Sequence, residues 1–200
     1  MNQSNSQLRI SSAEFRRQFN HREKDPYKVY QGKRNKENGT EFERYLSTAC
    51  QKYSEDMTAD ISKANEPLRI IGKLNESNKR PTYKCVITGK SDPDYKGMLN
   101  TGRAVGFEAK HTDTDQIERR EVTQHQAKLL ERYSQMNAVT FVMVSFGLNR
   151  FFRVPWHVWQ DMKKLYGRQY LKAEDIPDFE VPVVLHEGKP AVLFLEGIDN

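Results

Sequence analysis

Between residues 42 and 53, apolar side chains fall at Phe42, Tyr45, Leu46, Ala49 and Tyr53, with polar residues between them. Spacing of three and four predicts an amphipathic helix. Asn38-Gly39-Thr40 offers a start, and Thr40-Glu41-Phe42-Glu43 has the form of a capping box, so this helix is expected from about Asn38–Thr40 to Tyr53. Leu68–Lys73 and Lys84–Thr88 read as strands joined by the polar, turn-rich stretch Leu74–Pro81. Tyr95–Leu99 and Val105–Lys110 flank Asn100-Thr101-Gly102-Arg103, a hairpin turn. A second helix is expected over Thr123–Met136, with Ala127, Leu130 and one of Tyr133 or Ser134 turned inward. Its opening, Thr123-Gln124-His125-Gln126, again fits a capping box. Ala138–Val144 is a β-branched run that reads as a buried strand, followed by a strand at Arg150–Val154. Pro155 opens a third helix through Trp156, Trp159, Met162 and Leu165, whose two tryptophans read as core rather than a base-stacking platform. Val181–Leu185 and Ala191–Leu195 are the last strands. Helix, antiparallel strands, helix and strand in that order predict an α/β fold, a mixed sheet flanked by helices. Residues 1–37 carry few apolar anchors and read as a mobile basic arm with a short helix near Ser12–Phe19, leaving 38–200 as the folded domain.

Composition narrows the setting. Two hundred residues suit one domain with a sizeable core. No run of 18 apolar residues predicts a membrane span, and Met1–Ser6 lacks the apolar stretch of a signal peptide. Cys50 and Cys85 are the only cysteines and have no metal-ligand spacing, so the chain reads as a reduced, cytoplasmic protein. The net charge of +5 is concentrated at one end. Residues 1–40 hold nine Lys and Arg against four acids, and residues 73–110 hold eight against four. Two basic segments around an acidic pair suit a polyanion, although a solvated tail and hairpin would look the same.

The acidic pair carries the chemistry. Asp94 stands in Ser91-Asp92-Pro93-Asp94-Tyr95-Lys96-Gly97, and Glu108 and Lys110 stand in Val105-Gly106-Phe107-Glu108-Ala109-Lys110. Side chains alternate along a strand, so Glu108 and Lys110 share a face. Asp94, on or beside the neighbouring strand, brings a second carboxylate. Two hard oxygen donors suit Mg²⁺ or Mn²⁺. Such an ion activates water and neutralises phosphate charge, while the lysine orients that water or stabilises developing charge. An acid, a gap and Glu-x-Lys on an apolar strand is the pattern of the PD-(D/E)xK nucleases.

Four blocks in order make the resemblance narrower. Gly39-Thr40-Glu41-Phe42-Glu43, Asp94-Tyr95-Lys96-Gly97, Phe107-Glu108-Ala109-Lys110 and His125-Gln126, with similarity continuing over Val154–Ile198, resemble the RecU-type Holliday junction resolvases of bacteria and phages. That resemblance implies a restriction-endonuclease-like core with a small protruding hairpin, the stalk. It implies Asp94, Glu108 and the Ala109 carbonyl as metal ligands and Lys110 as the catalytic lysine. It implies Glu43 as an acidic helper and Gln126 as a support for the site or the scissile phosphate, beside their capping roles. It implies a homodimer acting on four-way DNA junctions, linked also to strand-exchange and branch-migration proteins. Lys33, Arg34, Lys79, Arg80 and Lys96 are the expected DNA contacts. The chain departs from the family pattern at Pro93 and Asp92, at His111 after Glu-Ala-Lys, and in a shorter connection between Pro67 and Asp94. Two other readings stay open: a different PD-(D/E)xK nuclease, and a non-catalytic DNA-binding modulator of recombination.

Overall fold

The computed structural model describes residues 26–75, 81–89 and 92–198. The sheets lie in the second of two compact units, residues 35–200. Helix α1, Pro26–Glu55, turns Phe42, Leu46, Ala49, Cys50 and Tyr53 into the core. It does not start at Asn38–Thr40 as expected. Gly39 meets open space where a Cβ would be, and Thr40 Oγ1 donates back to the Lys36 carbonyl at 3.0 Å. Both residues therefore sit inside the helix, and Thr40 is not a cap.

The central sheet has five strands. In spatial order they are β1 (Ala59–Lys63), β4 (Tyr95–Leu99), β5 (Ala104–Thr112), β7 (Val139–Phe146) and β8 (Arg150–Pro155). Only β5 and β7 run parallel; the other neighbours are antiparallel. The parallel pair needs a crossover, supplied by α2, Gln124–Gln135. The expected turn at 100–103 joins β4 to β5, with Gly102 at φ +85°.

Strands buried on both faces separate two cores. Against α1, Tyr95 stacks on Phe107 (centroids 4.8 Å apart) and Phe107 on Phe141 (4.6 Å). On the other face Val142, Val144, Phe152, Leu130, Trp156 and Trp159 pack together. Both tryptophans are core, and Trp156 Nε1 donates to Glu131 at 2.9 Å. The third helix is two short ones, α3 (Trp156–Gln160) and α4 (Met162–Tyr166). The break at Asp161 buries Met162 and leaves Leu165 exposed, contrary to expectation. In α2, Tyr133 is half-buried and packs near Gly106, while Ser134 faces solvent.

The segment 68–87 forms a separate ribbon, β2 (Leu68–Asn75) with β3 (Thr82–Ile87). Every described side chain of it is exposed. Short pairs β6–β9 (Gln116–Glu118, Tyr170–Lys172) and β10–β11 (Val183–His186, Lys189–Val192) complete the sheets of the described residues. Among those residues no helix is long and apolar enough to cross a membrane.

Candidate active site

Asp94 immediately precedes β4, and its carbonyl accepts from the Ala64 amide at 2.8 Å, which ties it to the exit of β1. Glu108 lies in β5 between β4 and β7 and is fully buried. A buried carboxylate is costly unless it is paired. Glu108 Oε2 accepts from Lys110 Nζ at 3.0 Å and from Gln126 Nε2. Glu108 Oε1 is buried with no hydrogen-bond partner among the described residues. Lys110 Nζ also reaches Asp94 Oδ2 at 3.4 Å, and the same oxygen accepts from the Ala109 amide at 3.0 Å. One ammonium thus bridges two carboxylates, and the strand backbone orients Asp94.

Burial pushes the Glu108 carboxyl up to about 8; the neighbouring Asp94 adds to this, and Lys110 opposes it. With no cation beside it, the pocket therefore favours a proton on Glu108, and one of its carboxyl oxygens is turned to no partner among the described residues. That is an environment short of a cation.

Gln126 serves two ends. Its Oε1 accepts from the Thr123 amide and hydroxyl, both at 3.0 Å, completing the capping box of α2, while its Nε2 donates to Glu108. The box supports the Glu108 carboxylate instead of competing with it. Beside Gln126 a cleft of about 540 Å³ opens, lined also by His125, Lys128, Glu66 and Ile87.

Glu43 is not joined to the Asp94–Glu108 pair. Its carboxylate accepts from Lys63 Nζ at 2.7 Å, and its carbonyl accepts from Tyr95 Oη at 3.3 Å. No sequence pattern points to Lys63, because β1 shows only a two-residue apolar alternation, Ala59 and Ile61. Among the described residues no three His, Cys, Asp or Glu side chains converge as a metal cage. Asp92 pairs with Lys96, and both side chains are half-exposed. His111 is buried and bonds Ser145 and Asp113. Arg34 is exposed; the side chain of Lys33 and all of Lys79 and Arg80 lie outside the described structure.

A model of the RecU family, Recombination protein U, matches residues 37–200. The chain belongs to the RecU family. As a RecU protein it is a nuclease of a resolvase family. Among solved structures the RecU chain is similar to Archaeoglobus fulgidus Hjc, a Holliday junction resolvase from an archaeal hyperthermophile. The identity is 13% and the TM-score 0.40, over 71% of this chain and 89% of that one. No curated protein matches the sequence.

Proposed function

We propose that this RecU chain hydrolyses phosphodiesters of four-way DNA junctions with Mg²⁺ or Mn²⁺, as a homodimer. The observation that carries the reading is the Asp94–Lys110–Glu108 constellation around a buried Glu108, whose Oε1 has no partner among the described residues and whose Oε2 is held by Gln126. Two hard carboxylates with no third acid among the described residues fit a cation that keeps several waters and takes substrate oxygens. Asp94, Glu108 and the Ala109 carbonyl would hold it, and it would supply an activated water and neutralise phosphate charge.

The chain's own residues do the rest. Gln126 fixes the Glu108 carboxylate, and the start of α2 presents its amides towards an anion. Lys110, mostly buried, sits where it can orient water or stabilise developing charge. Glu43 assists from α1. Lys33 and Arg34 of α1, Lys96 and the basic residues of 1–25 add phosphate contacts, and Lys79 and Arg80, between β2 and β3 in the chain, touch backbone at the junction centre.

The stalk ribbon supports the dimer. Leu68 is in register with Ile87 and Ile70 with Cys85, so these side chains share one exposed apolar face. A lone two-stranded ribbon is marginally stable in water, and a second copy would cover that face about a two-fold axis.

The test is nicking of a synthetic four-way junction beside linear duplex, with Mg²⁺ and with EDTA. Symmetric, metal-dependent nicks in the junction alone are expected. Equal cutting of duplex would leave a generic nuclease, and junction binding without cleavage would leave a non-catalytic modulator.

A further inference from the structure

Directly behind the catalytic lysine runs a buried chain of polar side chains that the chemistry above does not use. His111 faces away from Lys110 and stands in register with Ser145 of β7. Its Nδ1 lies 3.1 Å from Ser145 Oγ, and its Nε2 lies 3.0 Å from Asp113 Oδ1. The same Asp113 oxygen accepts from Asn38 Nδ2 of α1 at 2.8 Å. Ser145 is fully buried, and the His111 and Asp113 side chains are only 4% and 9% exposed. Nε2–H donates to the Asp113 carboxylate, and Nδ1 shares a hydrogen bond with the serine hydroxyl, which can act as donor or acceptor.

Asn38, half-buried, lies on the line of the buried stripe of α1, four residues before Phe42 and eight before Leu46. The stripe thus ends in a polar anchor. Packing by Phe42 and Leu46 is non-directional and does not by itself fix how far the helix slides along the sheet. Directional hydrogen bonds do: Tyr95 Oη holds the Glu43 carbonyl, and Asn38 with Asp113 and His111 holds the helix at the end of the strand that carries Glu108 and Lys110.

We propose that His111 is a positioning residue: through Asp113 and Asn38 it sets the register of α1 on β5, and so the placement of Glu43 at the metal site. This rests on the reading that Glu43 assists there. A slide of one residue is about 1.5 Å along a helix, and an error of about 1 Å in a catalytic group can cost about a hundredfold. Lys63 then holds the carboxylate that the helix has placed.

The experiment measures the Mg²⁺ concentration for half-maximal junction cleavage in His111→Ala, Glu43→Gln and the double variant. Junction affinity in EDTA and melting temperature are measured alongside. His111→Ala should raise the half-saturating metal about tenfold, with metal-free junction affinity within about twofold of wild type. Glu43→Gln should do the same, and the double variant should be no worse than Glu43→Gln alone, since one acts through the other. His111→Gln, which keeps a donor for Asp113, should recover most of the loss. Should His111→Ala fail to fold, Asn38→Ala takes its place and should shift the metal requirement in the same direction. Two full, additive shifts would overturn the inference. An unchanged metal requirement in Glu43→Gln would also overturn it, and loss of all cleavage in Asp94→Asn would still leave the endonuclease reading standing.

Discussion

In metal-free protein, Glu108 should make the fold less stable as pH rises. Its carboxyl titrates at about 8 in the folded chain against an ordinary value of 4.5. Between those values the folded protein keeps a proton that the unfolded chain has released. Stability therefore falls by about 1.4 kcal/mol per pH unit across that window and is level outside it. From pH 6 to 8 the loss is roughly 2–3 kcal/mol, a large part of a typical 5–15 kcal/mol. The assay is urea unfolding in EDTA from pH 5.5 to 9, for the wild type and Glu108→Gln, which cannot titrate. The difference between the two should fall with pH and flatten above about 8. Mg²⁺ should restore stability increasingly as pH rises, and only in the wild type. The alternative is that Lys110, 3.0 Å from Glu108, outweighs burial. Glu108 would then titrate below its ordinary value, and stability would be lost on acidification instead. A difference that is flat or rising from pH 5.5 to 8 would refute the burial argument.

Asp94→Asn should abolish cleavage while junction affinity, read by gel shift in EDTA, stays equal or tightens, because a negative charge facing the phosphates is gone. Gly97→Ala should cost about 2 kcal/mol or more in urea unfolding, since its Cβ would stand 2.0 Å from the Asp60 carbonyl oxygen, against the backbone of β1. Deleting residues 1–25 removes Arg9, Arg16, Arg17, Arg22 and Lys24. The slope of log affinity against log salt should shrink by about 0.9 for each phosphate that these side chains neutralise, with maximal turnover unchanged. Replacing residues 75–80 by Gly-Ser should reduce the preference for junction over duplex, measured by competition at matched salt, while the metal requirement stays the same.

Much of the site was legible because it is encoded within single elements. Strand alternation places Glu108 and Lys110 on one face, and the capping-box spacing brings Gln126 to the start of α2. The turn at 100–103 pairs β4 with β5 and carries Asp94 to the Ala109 amide. The start of α1 was not legible. Gly39 and Thr40 look like a boundary in sequence, yet open space around one and a back-bonded hydroxyl on the other let the helix run on from Pro26. The strand β1 was missed for want of β-formers: Asp60, Ser62 and Lys63 have weak strand preference, and only pairing with β4 holds them extended.

What the sequence withheld has a common cause. Lys63 with Glu43, and Asn38 with Asp113, meet across elements far apart in the chain. No local spacing encodes such a contact; it exists only once α1 has settled on the sheet. The RecU site therefore has two parts of different origin. The β4–β5 hairpin and the first turn of α2 assemble the acid pair, the lysine and the glutamine from short-range pattern. The contribution proposed for Glu43 would depend on a helix held by the polar contacts of Asn38 and Asp113 at one end and by the half-exposed ion pair of Glu43 with Lys63. Changes to the first part should remove chemistry outright. Changes to the second should alter how much metal the chemistry needs, which makes metal dependence the measurement that separates them.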